Sequence, residues 1–201
     1  MSESTKQGFC RNYGTDPQSL VSQIVRDRIY SSRIWKEQCF ALNAETILDV
    51  AKGLDAVGFC YGGYSRPTEF LCLLMKLLQI SPSLEIVRAY LEFSDGRPSN
   101  DPLVQVRDLR YMRALTAVYV RIVALPHLIY TLLEPLLSDY RKLFVLDSSG
   151  EYIEIRMDEL IANLLDENND SLYGFHLPTI PRRKVLEAKG TLEQYKSILS
   201  V

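Results

Sequence analysis

The residues best suited to chemistry in this sequence are its cysteines and histidines, because a thiol paired with an imidazole can act as a nucleophile. His127 follows Pro126 in the first turn of a predicted helix, and His176 lies in a predicted loop. Cys72 falls within the apolar run 70–78, where a thiol packs as a small hydrophobe. No CxxC pair occurs, so a zinc site at the usual spacing is not expected. The four cysteines are Cys10, Cys39, Cys60 and Cys72.

The common enzymatic motifs are missing as well. The sequence contains no GxSxG, HExxH, GxGxxG or P-loop pattern. Gly62-Gly63 comes nearest to a phosphate-binding loop, but no Lys-Ser or Lys-Thr follows, and Pro67 lacks an amide that a phosphate would need. Acidic pairs such as Asp166 and Glu167 lie at predicted helix ends, whereas acid–base catalysis needs a carboxylate in an apolar cleft. We therefore expect no catalytic residue, no cofactor and no metal, and thus no enzyme.

Composition places the chain among ordinary globular proteins. It has 201 residues, of which 47% are hydrophobic and 24% charged, with a net charge of −2. A domain that depends on phosphate contacts usually has a basic excess, so sequence-independent nucleic-acid binding is not expected. The first ten residues contain no signal-peptide core, and the run 70–80 is about half the roughly 20 residues that cross a bilayer. We expect a soluble protein in a reducing compartment, without membrane contact.

Two groups of side chains could instead bind a macromolecule. Four arginines gather on one side of a long predicted helix over 103–125, and they form either a solvated face or a docking face for an acidic helix or an RNA backbone. Tyr61 and Tyr64 flank Gly62-Gly63, where they could stack on bases or pack on the protein itself, and packing is the favoured interpretation. The four arginines are Arg107, Arg110, Arg113 and Arg121.

Helical periodicity dominates the elements that would position these groups. The run 70–78 is apolar on almost every side, which predicts a central helix covered by the others. Pro135 interrupts an apolar pattern and predicts a kink or break at Glu134-Pro135. Residues 143–155 alternate around a glycine-containing turn and predict a hairpin. We predict a mainly α, single compact multi-helix domain with this small β-hairpin. Other helices are expected at 17–31, 32–40, 82–93 and 103–125. Loops are expected at 59–64 and 94–102.

Several motifs, taken in order, resemble the pre-mRNA-splicing factor 38 family. Each motif is weak alone, but their order is specific, and the similarity covers residues 13–188. It places the family's conserved N-terminal domain at 14–190, with a short C-terminal segment at 191–201. Residues 1–13 are polar, which predicts a flexible N-terminus. The matching runs are Gly14-Thr15-Asp16-Pro17, Ile24 through Tyr30, Trp35 through Phe40, Tyr61-Gly62-Gly63, Pro67 through Leu73, Tyr111 through Leu115, Leu133 through Leu136, Asp139 through Lys142, Leu177-Pro178, Pro181-Arg182 and Val185 through Glu187.

The resemblance implies a non-catalytic scaffold of the precatalytic spliceosome. Members of this family are nuclear. They join the precatalytic spliceosome together with the tri-snRNP and are required for its activation. Their implied partners are a zinc-finger splicing protein and an extended helical protein of the microfibrillar-associated type. The sequence departs from the family in its longer loop at 94–102 and in lacking the charged or Arg/Ser-rich tail that many members carry. We expect a monomer in isolation.

The alternative function is direct RNA binding, through the arginine face or the Tyr-Gly-Gly loop. If the protein is instead a scaffold, we expect at most a weak or indirect RNA contact beside its protein partners. Candidate binding residues are the polar or aromatic groups that bracket the ordered motifs. They are Arg26, Arg28, Lys36, Glu37, Tyr61, Tyr64, Arg66, Arg107, Arg110 and Arg121.

Overall fold

A computed structural model describes residues 16–92 and 109–194. The predicted flexible N-terminus at 1–13, the predicted loop at 94–102 and Arg107 lie outside the described residues. The eight α-helices of the described chain are α1 (Gln23–Ser31), α2 (Ile47–Ala51), α3 (Glu69–Ile80), α4 (Leu84–Glu92), α5 (Arg110–Val123), α6 (Pro126–Leu133), α7 (Met157–Leu165) and α8 (Arg183–Ala188). Shorter turns of 3₁₀ helix span Pro17–Leu20 and Glu134–Ser138, and a π-helical turn spans Trp35–Cys39.

Three small sheets accompany the helices in the described chain. The largest has the order β1-β4-β5, with β1 (Val57–Gly58) parallel to β4 (Lys142–Leu146), which is antiparallel to β5 (Tyr152–Arg156). A second pairs β2 (Cys60–Tyr61) with β3 (Arg66–Pro67), and a third pairs β6 (Ser171–Leu172) with β7 (Phe175–His176). The fold is therefore mainly α, with β4 and β5 occupying the region where the sequence predicts a hairpin.

Helices α3 and α5 form the centre of the hydrophobic core. In α3 every residue from Phe70 to Leu78 is buried, which confirms the predicted central helix. Thr68 starts α3, since its hydroxyl accepts a hydrogen bond from the Leu71 amide at 3.1 Å. In α5 every residue from Met112 to Val123 is buried, because α3, α4 and α7 all pack against this helix.

The proline positions explain where the chain changes direction. Helix α6 starts at Pro126 and ends at Leu133, and the chain continues as 3₁₀ helix from Glu134, which confirms the predicted break at Glu134-Pro135.

The predicted helix at 17–31 is divided into a 3₁₀ turn and α1, because Val21 and Ser22 adopt extended backbone angles.

The segment 59–64 is not entirely loop, contrary to the prediction. Cys60 and Tyr61 pair with Pro67 and Arg66, and only the turn 62–65 between them is irregular. The glycines permit this turn, since Gly62 has a φ of 70°. We refer to residues 60–67 as the Tyr-Gly hairpin. Among the described residues no helix is long and apolar enough to cross a lipid bilayer.

Candidate protein-binding grooves

A buried ion-pair network lies where α4, α5 and the chain after Pro135 meet. Arg113 in α5 donates to the Leu91 carbonyl at 2.9 Å through Nε and to Asp139 Oδ2 at 2.6 Å through Nη1. Arg141 donates to Asp139 Oδ1 at 2.9 Å. Burial would raise the pKa of Asp139, but the hydrogen bonds from Arg141 and Arg113 overcome it and lower this pKa to about 2. Asp139 is therefore ionised in the folded protein at neutral pH.

This network forms one side of a groove of about 730 Å³, which we call the Asp139 groove. Its apolar lining comes from α4, α6 and the 3₁₀ turn that follows, and it includes the buried Leu91, Leu132 and Leu136. Arg88 and Glu92 add exposed charges of opposite sign. The full described lining is Arg88, Leu91, Glu92, Arg113, Thr131, Leu132, Pro135, Leu136, Ser138, Asp139, Tyr140 and Arg141.

A second groove, of about 530 Å³, lies between the Tyr-Gly hairpin and the turn that joins β4 to β5; we call it the Tyr61 groove. Thr68 fixes its centre by donating its hydroxyl to the Gly58 carbonyl at 2.7 Å while it caps α3. A side chain at Gly58 would meet Leu146 Cβ at 3.1 Å and Thr68 Cγ2 at 3.2 Å, so this close approach favours glycine. The groove includes two carboxylates and two tyrosines, from Asp55, Glu69, Tyr61 and Tyr152.

The candidate residues of the first helix and the Tyr-Gly hairpin come together. Arg28 in α1 donates to the Tyr64 carbonyl at 2.8 Å, which ties the helix to the hairpin. Tyr64 is 82% exposed, so its ring does not pack on the protein as the favoured interpretation predicted. Tyr61 is half-buried and lies opposite the exposed Arg66 in the β2–β3 pair, so packing holds in part for Tyr61.

The remaining candidates of this region are less closely associated. Arg26 in α1 is half-buried, and its Nε has no hydrogen-bond partner in the described part of the chain. Lys36 and Glu37 are exposed on the π-helical turn, and Glu37 accepts a hydrogen bond from Arg33 at 2.8 Å. An exposed pair of this kind contributes little to stability. These three residues stay predictions as binding residues.

Two arginines of the long helix, Arg113 and Arg121, are buried. For them the predicted arginine face is wrong, both as a solvated surface and as a docking surface. Arg121 is 0% exposed; it donates to the Leu164 carbonyl at 2.7 Å and to the Pro178 carbonyl. Arg110 is half-buried and donates to the Lys142 carbonyl at 2.8 Å. The physical reason is that neighbouring elements cover α5, and their backbone carbonyls accept hydrogen bonds from the guanidinium groups. Arg107 lies outside the described residues.

The thiols of the described residues are held in the protein interior. Burial is the main cause that raises the pKa of Cys39 to about 12 and of Cys72 to about 11, and it also raises the pKa of Cys60. Cys72 is fully buried in α3, which confirms its interpretation as a core residue. Across residues 16–92 and 109–194, no group of three or more His, Cys, Asp or Glu side chains is arranged to hold a metal ion.

Sequence reasoning missed the residues that shape the two grooves. Asp139 and Arg141 follow a proline-broken helix two positions apart, and this spacing could have indicated a local ion pair. Arg113, the third member, is 26 residues distant and gave no such signal. Asp55 and Glu69 come from separate segments, so only the fold brings them to the Tyr61 groove.

The helices packed around α3 and α5, with three small sheets, define a mainly α protein. The model of the PRP38 family matches residues 11–190, and the chain belongs to that family. Its relatives include pre-mRNA-splicing factor 38 of Arabidopsis thaliana, 42% identical over 186 residues, and of Drosophila melanogaster, 42% identical over 187 residues. The alignments cover 92% and 93% of this chain but 48% and 52% of those proteins, so the chain spans about half their length.

A solved structure is similar over nearly the same extent. It is the crystal structure of the Snu23-Prp38-MFAP1(217-258) complex of Chaetomium thermophilum, and the matching chain is 36% identical with a TM-score of 0.80. The match covers 92% of this chain and 89% of that chain. At this identity and coverage the two chains share a fold over most of their length.

Proposed function

We propose that this protein is a non-catalytic, protein-binding scaffold of the precatalytic spliceosome, which acts in the nucleus and is required for spliceosome activation. The observation that carries the proposal is the similarity to a chain crystallised in a complex with Snu23 and MFAP1(217-258). The names of the relatives, pre-mRNA-splicing factor 38, support the same process. The proposed partners are a zinc-finger splicing protein, a microfibrillar-associated-type protein and the tri-snRNP.

The Asp139 groove is the surface best suited to such a partner. Protein interfaces combine apolar anchors at their centre with polar groups at their rim. The groove provides Leu91, Leu132 and Leu136 for an aliphatic or aromatic anchor, while Arg88 and Glu92 are available at its edge. The buried Asp139 network holds one side of the groove in place, so little ordering is needed when a partner binds. We propose that it accepts the apolar face of a helical segment.

The face formed by α1 and the Tyr-Gly hairpin is a second proposed contact. Arg28 holds the hairpin through the Tyr64 carbonyl, which leaves the Tyr64 ring at the surface. An exposed tyrosine beside Arg66 has the composition of an interface anchor. Arg26, Lys36 and Glu37 would extend this face along the neighbouring helical turns.

The experiment for the first contact blocks the Asp139 groove without disturbing the core. Thr131 is exposed on α6 and lines the groove, so Thr131→Arg would occupy its space with a helix-compatible side chain. Gln23→Arg adds the same charge at an exposed position in α1, outside the groove, and serves as the control. We would measure the affinities of the purified orthologues of Snu23 and MFAP1 by calorimetry.

Thr131→Arg should weaken one of these complexes by about tenfold or more, which is the loss of a single good anchor. Gln23→Arg should leave both affinities unchanged. If the unmodified protein bound neither orthologue, the scaffold proposal would be contradicted. If both complexes tolerated Thr131→Arg, the groove would not be the interface.

Direct RNA binding is a second candidate function, favoured by the 82% exposed Tyr64, whose backbone carbonyl accepts from Arg28 and which precedes the exposed Arg66 by two residues. Such a ring can stack on an unpaired base, and each neighbouring cation can contact a phosphate. The burial of Arg113 and Arg121 removes two cations from the arginine face, which was one of the two surfaces predicted to bind RNA. A filter-binding titration with single-stranded RNA, repeated for Tyr64→Ala, tests it; binding that is flat at low salt would exclude it.

A further inference from the structure

The Tyr61 groove has an electrostatic character different from that of the Asp139 groove. Asp55, between α2 and β1, and Glu69, in the first turn of α3, both line it and are both exposed. Neither carboxylate has an ion-pair or hydrogen-bond partner within residues 16–92 and 109–194. No lysine or arginine lines the described part of the groove. It therefore combines two uncompensated negative charges in one concave surface.

Two aromatic rings complete the lining. Tyr152, at the start of β5, is 59% exposed, while Tyr61 is half-buried. The Tyr61 ring is supported from the β4–β5 turn, since a Cβ at Gly150 would be 3.7 Å from Tyr61 Cδ2. The Gly62 amide also donates to the Ser148 carbonyl at 3.0 Å, which joins the Tyr-Gly hairpin to this turn. Tyr61 lies on the Tyr-Gly hairpin and Tyr152 follows the β4–β5 turn, and the hydrogen bond between these two segments fixes the backbone that carries both rings.

Carboxylates beside tyrosine rings are the groups that recognise a guanidinium. Arginine is planar, so it can stack on an aromatic ring while its edge donates paired hydrogen bonds to a carboxylate. A tyrosine face also attracts a cation within about 6 Å of its centre. The protein contains such a contact between its own side chains, at the surface, where the Arg156 guanidinium lies 5.5 Å from the centre of the exposed Tyr140 ring. A groove of about 530 Å³ has the size of a typical ligand site.

We propose that the Tyr61 groove binds an arginine side chain from a basic segment of a partner protein. Asp55 and Glu69 receive the guanidinium, and Tyr152 and Tyr61 provide the aromatic surface. Charge complementarity selects this occupant, because an apolar segment would leave both carboxylates without partners. The site requires neither the Asp139 groove nor either splicing partner, so it is a function beyond the scaffold proposed above.

The test uses a fluorescein-labelled peptide of Gly-Arg repeats, titrated with the purified protein and followed by fluorescence anisotropy. Three comparison peptides carry citrulline, lysine or leucine at each arginine position. Citrulline keeps the shape and removes the charge, lysine keeps the charge and removes the plane, and leucine is apolar. The arginine peptide should bind at least about tenfold more tightly than the citrulline or leucine peptide and more tightly than the lysine peptide.

Matched variants separate this site from general attraction to an acidic protein. The double change Asp55→Asn and Glu69→Gln should weaken the arginine peptide by about tenfold or more, because both charged hydrogen-bond acceptors are lost. Asp27→Asn with Glu85→Gln removes the same charge from exposed positions outside the groove and should have little effect. Tyr152→Ala should reduce affinity by about threefold and Tyr152→Phe should retain it, since the ring face supplies the attraction.

Circular dichroism would check that each variant folds as the unmodified protein does. Equal weakening by the two double variants would overturn the proposal, because it would show attraction to net charge alone. Binding of the citrulline, leucine or lysine peptide as tightly as the arginine peptide would overturn it too. None of these results depends on Snu23 or MFAP1, so failure here is distinguishable from failure of the scaffold proposal.

Discussion

Two arginines of α5 and Arg28 of α1 occupy opposite environments. Arg113 and Arg121 lie in the interior and donate to the backbone carbonyls of Leu91, Leu164 and Pro178. Arg28 is exposed and donates at the surface to the carbonyls of Tyr64, at 2.8 Å, and Ser65, at 3.4 Å. Arg28, Arg113 and Arg121 all occupy helices that also carry apolar residues. Their burial is decided by how many neighbouring elements cover the helix, and not by residue type.

The interior arginines are compatible with burial because their N–H groups donate to backbone carbonyls. Leu164 lies in the last turn of α7, where carbonyls have no partner inside the helix and the helix dipole is negative. A guanidinium there satisfies the carbonyl and gains from the dipole. Arg121 thus joins α5 to α7 and to the segment at Pro178, whereas Arg28 joins only α1 to the hairpin.

The largest effect expected from this comparison is that of Arg121→Ala. The change removes two charged hydrogen bonds and leaves a cavity at a fully buried position. We expect the free energy of unfolding to fall by about 3–5 kcal/mol, measured by urea denaturation. Arg66→Ala, at an exposed position, is the control and should change it by less than about 0.5 kcal/mol. Similar values for the two variants would remove the distinction between interior and surface arginines.

A second prediction concerns the carboxylate that pairs with an interior arginine. Since the pKa of Asp139 is lowered from 3.8 to about 2, its ionised form favours the folded state. This contribution is present above about pH 4 and is lost as the pH falls toward 2, and it amounts to about 2 kcal/mol. Asp139→Asn should lower the stability by about this amount at pH 7 and by less at pH 3, in urea titrations at both values.

The pH dependence must be read as a difference between the two proteins. The hydrogen bond from Ser149 is the main cause that lowers the pKa of Asp147, in the turn between β4 and β5, so the variant keeps some acid sensitivity. Subtracting one profile from the other isolates Asp139. A difference that stayed constant between pH 7 and pH 3 would argue against an ionised Asp139 bound by Arg113 and Arg141.

Local signals in the sequence predicted the helical parts of the fold. The run at 70–78 is apolar on all sides, and Pro135 cannot continue a helix, so both features follow from short-range chemistry. The parallel pairing of β1 with β4 was not predicted, since Val57 and Val145 are far apart in the chain and β1 has only two residues. The predicted loop at 59–64 failed for a similar reason, because the adjacent glycines concealed two short strands.

The binding surfaces were predictable only where their residues are near in sequence or lie on exposed elements. Tyr61, Tyr64 and Arg66 share one hairpin, and proximity alone places them together. Helical periodicity placed Arg121 at the surface because it describes one helix alone and cannot show that α7 covers the polar side of α5. Asp55 and Glu69 belong to different segments, and their shared groove arises from the packing of α3 beside β1.

The smallest effect belongs to Arg28→Ala, which removes the surface counterpart of the interior bonds. Its guanidinium is exposed, so water can replace it at the Tyr64 carbonyl, and we expect a loss of about 0.5–1 kcal/mol in the free energy of unfolding. Local opening should change more than global stability, because the hairpin loses its link to α1. Hydrogen exchange of the amides in the turn 62–65 would therefore accelerate while that of α5 stays constant. Equal acceleration in α5 would show that Arg28 supports the core, as Arg121 does.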